Sequence, residues 1–196
     1  MNIEEARALM EEWTANPALR VHMECVAASM KAYAEVLAPD QADRWVVAGL
    51  LHDFDYEKHP TAEEHPFVGV KHLETLGVDE EIRTAILGHA DYTGVKRETP
   101  MAVALFAVDE LSGFIVACSK VRPEGVSSLT PKSVKKKLKL ASFAAAVNRE
   151  DIAVGVEELT PLMAPLMSEI EAGFDLAGHI QRCIDGIKGE AERLGV

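Results

Sequence analysis

The chain has 196 residues, with 32 acidic and 20 basic side chains, and its formal charge at pH 7 is −12. This length suits one domain with a substantial core, or a core with a small appendage, and disfavours a second large domain. An acidic surface repels nucleic acid, so we expect no nucleic-acid partner. An anionic substrate would have to be attracted by local positive charge or by a metal ion.

Cysteine usage and the first residues indicate the compartment. The chain has three cysteines, Cys25, Cys118 and Cys183, which are far apart and lack C-x-x-C spacing. Neither a disulfide framework nor a thiolate zinc site is therefore predicted. Residues 1–5 open an acidic amphipathic helix without the basic and apolar regions of a signal peptide. We expect a reducing, cytoplasmic location.

Helix signals follow one another along the chain. Asn2 and Asn16 are candidate N-caps, and Asn16 is followed by Pro17 at the first helical position. Apolar residues then recur at helical spacing until Pro39 ends the helix. Further helices are predicted over residues 40–53, 65–76 and 79–89.

In the second half of the chain, helices are predicted to begin with the same pair of a capping residue and a proline. Thr99-Pro100 and Thr130-Pro131 repeat the cap and proline, whereas Thr160-Pro161 is expected to interrupt a helical C-terminal third. Residues 100–119 are long enough to span a membrane, but Asp109 and Glu110 lie at their middle. Charges at that position disfavour a membrane span, so we interpret this segment as a buried core helix and expect no membrane partner.

No run of alternating β-branched residues flanked by hairpin turns is found. The predicted fold is an all-α bundle, with irregular segments at residues 53–64 and 120–129. We predict one domain, with a core of about residues 16–120 and an appended helical layer of about residues 130–196.

Several polar side chains interrupt the apolar helices: His22, His52, Asp53, His89 and Asp109. Each by itself is typical of a hydrogen-bonded core residue or a helix cap. Together they would need as many dedicated partners, because an unpaired buried carboxylate costs several kcal/mol or more. One divalent cation satisfies several of them at once. Imidazole and carboxylate together suit iron, zinc, manganese or nickel.

The order His22, then His52-Asp53, then Asp109 resembles the HD superfamily of metal-dependent phosphohydrolases, which is named after the central His-Asp pair. The pair alone is a weak signal, but the ordered set in its helical context is specific. The resemblance covers roughly residues 18–113. It implies an all-α HD domain in which these four residues bind a first metal ion.

A second set of residues is similar to the members of that superfamily with two metals. His65-Pro66 followed by Gly69, and His89 after an apolar helix, match the positions that hold the second ion. By this resemblance Asp53 bridges the two ions. The implied cofactors are one or two divalent transition metals (Fe, Mn, Zn or Ni). The implied activity is hydrolysis of a small phosphorylated substrate, such as a nucleotide or another phosphate ester, by a metal-activated water.

The chain departs from this pattern at one position. Many two-metal members carry a lysine three residues after the aspartate of the pair, where this chain has Tyr56, and Lys58 follows two residues later. Two interpretations follow: Lys58 contacts substrate phosphate from a reshaped loop, or the substrate is held differently. We assign Lys58 to substrate phosphate. The predicted catalytic residues are Asp53, Lys58 and Asp109.

Some assignments stay open between neighbouring residues. His59 competes with His65 for the second ion, and the Pro-x-x-Gly context favours His65. Asp55 and Asp91 are each within two residues of a predicted ligand and are candidates to orient an imidazole. His179 is expected at the surface.

Residues 132–139 form the densest basic run. If it folds over the site, Lys135 and Lys136, together with Lys120 and Arg122, would bind substrate phosphates. The alternative is a solvated helix face.

Two other functions share the same ligands. Some HD relatives that resemble inositol oxygenase use a di-iron centre to activate oxygen, and a non-catalytic module could use the metal for stability alone. The sequence does not separate these functions, and it does not indicate an oligomeric state.

Overall fold

The computed structural model describes residues 1–166 and 173–196, which are α-helices joined by turns and short 3₁₀ segments. No strand occurs in these residues, so the all-α prediction is confirmed. The α-helices are α1 (Ile3–Trp13), α2 (Pro17–Leu37), α3 (Ala42–Leu51), α4 (Phe67–Thr75), α5 (Glu80–Gly88), α6 (Pro100–Ser119), α7 (Pro131–Leu138), α8 (Arg149–Met163), α9 (Leu176–Lys188) and α10 (Ala191–Leu194).

Side-chain caps begin the helices where the sequence predicts them. The Asn2 side chain accepts the backbone N–H of Glu5 at the start of α1, in a capping box. Asn16, Thr99 and Thr130 cap α2, α6 and α7 in the same way, and each precedes a proline at the first helical position.

The expected interruption at Thr160-Pro161 is wrong, because α8 continues through Pro161 to Met163. A proline removes one backbone donor, and its position in the last turn limits the loss to one hydrogen bond. The Thr160 hydroxyl also donates to the carbonyl of Val156, at 2.7 Å. The residues that continue the predicted helical third beyond this point, 167–172, lie outside the described residues.

Helices α2 and α6 form the centre of the fold. Helix α2 packs against α3, α6 and α9, and α6 also packs against α5 and α8. By length and composition α6 could cross a membrane, but 72 % of its most apolar window is buried in the fold. Its burial agrees with the predicted core helix.

A close backbone approach fixes α3 on α2. A Cβ atom added to Gly49 would lie 2.6 Å from the Cα of Ala27, closer than real contacts allow. Only glycine therefore permits this packing. The contact brings the end of α3, where His52 lies, next to His22 on α2.

The C-terminal helices pack on the central core. Their residue His179 lies elsewhere than the sequence predicted. His179 is fully buried, not at the surface. It lies on the apolar face of α9 with Ile180 and Cys183. Its Nε2–H donates to the Ala107 carbonyl, at 2.9 Å, and its Nδ1 accepts the Tyr33 hydroxyl, at 2.6 Å. Burial lowers the pKa of His179 to about 4, so the ring is neutral at pH 7.

The three cysteines, Cys25, Cys118 and Cys183, are all buried and unpaired. No disulfide therefore stabilises the fold.

The Tyr33–His179 hydrogen bond gives a test of this packing. Tyr33→Phe leaves the buried Nδ1 of His179 with only the long, weak contact to the Cys183 thiol, at 3.9 Å, so we expect the free energy of unfolding to fall by about 1–3 kcal/mol. Chemical denaturation measures this loss. The control is Tyr56→Phe, since Tyr56 is exposed and its hydroxyl has no partner among the described residues. An equal effect of the two substitutions would contradict the buried network.

Candidate metal centre

Two histidines occupy equivalent positions at the ends of helices. His52 is the C-cap of α3 and His89 is the C-cap of α5. The Nδ1–H of His52 donates to the Gly49 carbonyl three residues earlier, at 2.8 Å, and that of His89 donates to the Ile86 carbonyl. Each ring thereby satisfies a carbonyl at its helix end. In each neutral ring the lone pair of Nε2 is then free to face the centre of the fold.

A first group of ligand atoms surrounds the end of α3. The Nε2 atoms of His22 and His52 are 3.2 Å apart. Asp109 extends from the middle of α6, and its Oδ1 lies 3.0 Å from the Nε2 of His22 and 3.3 Å from that of His52. Asp53 Oδ2 faces the same two nitrogens, at 3.7 and 3.5 Å.

The other oxygen of Asp53 faces a second group. Its Oδ1 lies 3.2 Å from the Nε2 of His65 and 3.4 Å from that of His89. These two nitrogens are 3.3 Å apart. Asp53 is therefore shared, with one carboxylate oxygen directed at each pair of imidazoles.

Asp55 fixes the orientation of His65. Its buried carboxylate accepts the Nδ1–H of His65, at 2.7 Å, and the backbone N–H of Gly69, also at 2.7 Å. A Cβ atom at Gly69 would lie 2.8 Å from this carboxylate, which explains the glycine after His65-Pro66. Of the two candidates to orient an imidazole, Asp55 is thus in contact with one, whereas Asp91 pairs with Arg97 at 2.6 Å.

The donor set fits divalent metal ions. His65 and His89 both donate their Nδ1–H, so in the neutral rings that a metal ion requires, the lone pairs of the two Nε2 atoms face each other. Two lone pairs in contact repel unless a cation lies next to both. Atoms about 2.1 Å from one ion and at right angles to each other are about 3.0 Å apart, close to the separations in both groups. Two clusters in the described residues can hold an ion: His22, His52 and Asp53, and Asp53, His65 and His89.

The electrostatics of the site favour positive charge. Burial by itself would lower the pKa of His52, but Asp53 and Asp109 raise it well above the usual value. Burial also acts to lower the pKa of His65, but the carboxylates of Asp53 and Asp55 outweigh it and raise this pKa to about 9. The same field attracts a metal cation.

The centre opens to solvent on one side. The side chains of His52, His65 and His89 are at most 5 % exposed, whereas His22 is 21 % exposed and Asp53 and Asp109 are each 17 % exposed. A small molecule can therefore reach the site from the side of His22 and the two carboxylates.

Tyr92 and Glu110, which lie close in sequence to predicted ligands, have hydrogen-bond partners that the sequence did not indicate. The Tyr92 hydroxyl donates to the backbone carbonyl of His65, at 3.0 Å, and Tyr92 is 54 % exposed. Glu110 accepts the backbone N–H of Asn148, at 3.1 Å, and thus connects the residue after Asp109 to the start of α8. Spacing could have indicated Tyr92, which follows His89 by three residues, but only the fold brings Asn148 to Glu110.

The alternative ligand His59, and His72 on α4, lie apart from these groups. The His59 ring faces Glu64, at 3.4 Å, and His72 packs against Trp13 with ring centroids 4.7 Å apart. This placement favours His65 over His59 for the second group.

Most of the basic residues assigned to substrate lie apart from the carboxylates. The Lys58 ammonium is 4.6 Å from the centre of the Trp13 ring. Lys120 and Arg122 line a cavity at the far end of α6, about 16 Å along the helix axis from Asp109. Lys135 lines a different cavity and Lys136 is exposed, so the basic run is not in contact with the ligand groups.

The comparisons with known proteins agree with this geometry. Residues 20–113 match the family model of the HD domain, and they include Asp53 and the five residues arranged around it. No curated protein and no solved structure matches the chain. Proteins with this domain are mostly metal-dependent hydrolases. Residues 20–113, just under half of the chain, therefore form an HD domain of the superfamily of metal-dependent phosphohydrolases.

Proposed function

We propose that the protein is a metal-dependent phosphohydrolase that cleaves a small phosphorylated substrate, such as a nucleotide or another phosphate ester, by means of an activated water. The observation that carries this proposal is the position of Asp53. Its two oxygens face two separate pairs of imidazoles, at 3.2–3.7 Å. A carboxylate so placed can bridge two ions, and two ions suit phosphoryl transfer to water.

The proposed ligands form two sets that share Asp53. His22, His52 and Asp109 complete the set for the first ion, and His65 and His89 complete the set for the second. Imidazole and carboxylate donors suit Fe, Mn, Zn or Ni.

Two divalent ions would activate a water molecule and neutralise charge on the phosphoryl oxygens. The protein side chains would hold the ions and orient the ligand atoms. Asp53 and Asp109 supply the negative charge that retains the ions, and Asp55 keeps the lone pair of His65 directed inward. With three carboxylates and neutral imidazoles, two divalent ions leave a small net positive charge. A phosphate is therefore attracted despite the overall charge of −12.

Lys58 is proposed to contact substrate phosphate. Its exposed side chain rests on Trp13, so it would have to leave that ring to reach the site. No role at the site follows from the positions of Lys120, Arg122, Lys135 and Lys136, and their binding of substrate stays a prediction, as does a cytoplasmic location.

The two-ion arrangement gives a selective prediction for Asp55. In Asp55→Asn the amide can present a donor to the Nδ1–H of His65, so we expect affinity for the second ion to fall by about 10–100-fold, with the first ion retained. Metal content per chain, measured after dialysis against graded chelator, should show one ion lost before the other.

Asp91→Asn is the matched control, because Asp91 pairs with Arg97 and contacts no imidazole in the described residues. It should keep the metal content of the wild type. If Asp55→Asn also bound both ions with wild-type affinity, Asp55 would not orient a ligand.

Hydrolysis is tested by an assay in strict anaerobiosis with a panel of nucleotides and phosphate esters. We expect metal-dependent phosphate release at the same rate as in air, because hydrolysis needs no oxidant. Asp53→Ala should reduce the rate by at least about a thousandfold, and Asp43→Ala, an exposed change on α3, the helix that precedes Asp53, should leave it unchanged.

The other functions predict different outcomes. Product formation that requires oxygen would contradict the hydrolase and favour the di-iron oxygenase. Bound metal without turnover of any phosphate ester would favour a binding module.

A further inference from the structure

A cavity of about 230 Å³ lies between α7, α8 and the beginning of α9. It contains none of the six proposed metal ligands, so it is separate from the metal centre. Part of the basic run of residues 132–139 forms its wall. The proposed metal ligands make no contact with this feature.

The charge of this cavity is opposite to that of the whole chain. Lys135, Lys139 and Arg149 line it, and no carboxylate is among its lining residues in the described part of the chain. Acidic residues outnumber basic ones by 32 to 20 in the sequence, so three cations with no acid among the described lining residues are a local exception. Within residues 1–166 and 173–196 none of the three forms an ion pair within 4.0 Å.

The rest of the lining is apolar: Leu138, Ile152, Ala153 and Leu176. A mostly apolar wall with a few convergent charged groups is typical of a small-molecule site. Water alone would satisfy the charges but would leave the apolar wall hydrated.

The cations are held together at some cost. Lys135 and Lys139 are four residues apart, where like charges on a helix destabilise it by a few tenths of a kcal/mol. Arg149 is fixed more firmly, since its Nη1 donates to the carbonyls of Ala144 and Val147, at 2.9 and 2.7 Å, and its Nη2 donates to the carbonyls of Leu140 and Phe143. Its Nε is buried and has no acceptor among the described residues. An anion next to these groups would relieve the repulsion between them.

We propose that this cavity binds a small amphipathic anion, with a carboxylate or phosphate head near Lys135, Lys139 and Arg149 and a short apolar body against Ile152 and Leu176. The proposal is independent of the chemistry at the metal centre.

Calorimetric titration of the full chain tests it with four probes. Octanoate and octyl phosphate carry both the head and the apolar body, octanol carries only the body, and acetate carries only the charge. We expect saturable binding of at least one of the two anions and at least about tenfold weaker binding of octanol and acetate. The tighter of the two anions identifies the preferred head.

Two double variants of α7 provide a matched comparison. Lys135→Ala with Lys139→Ala removes cations that line the cavity, and should weaken binding by at least about tenfold. Lys132→Ala with Lys136→Ala removes the same charge from exposed positions on the same helix, and should change binding by less than about twofold. Ala153→Phe should abolish binding with all three cations present, because the larger ring fills the cavity.

Three outcomes would overturn the proposal: no saturable binding of either anion, equal binding of octanol, or equal losses in the two double variants. Thermal unfolding of each variant establishes that it is folded.

Discussion

The Asp53 carboxylate is the group on which the arrangement of the site depends. One of its oxygens faces His22 and His52, and the other faces His65 and His89. Without positive charge between them, four imidazoles and two carboxylates would be held in contact at a large electrostatic cost. The fold brings these groups together from separate helices, so a cation site is the simplest physical reason for their convergence.

Helix ends and buried acceptors keep the ligand atoms in position. His52 and His89 each close a helix by donating to a carbonyl three residues earlier, and the opposite nitrogen then faces the centre. His65 is held by Asp55 in place of a helix carbonyl. Each ring therefore has a fixed tautomer, which supports the metal ligands that the HD superfamily predicts.

The sequence predicted the helices and the ordered ligand set because both depend on local patterns and on a family resemblance. It did not predict what depends on long-range packing. His179 is a polar residue, but the face of α9 on which it lies is otherwise apolar. Its two hydrogen-bond partners, Tyr33 and Ala107, lie on helices that are distant in the sequence. Pro161 was expected to interrupt a helix, but it lies in the last turn of α8, where a proline is tolerated. Spacing along the chain could not show which of Asp55 and Asp91 orients an imidazole. It also did not show that the basic run lies beside a cavity that is separate from the metal centre.

The most direct measurement is anomalous X-ray scattering from crystals of the protein grown with Mn²⁺ or Fe²⁺. The account predicts two peaks about 3.5–4 Å apart, one on each side of the Asp53 carboxylate. Data that showed no peak at this position, with each imidazole bonded to its own protein partner, would contradict it.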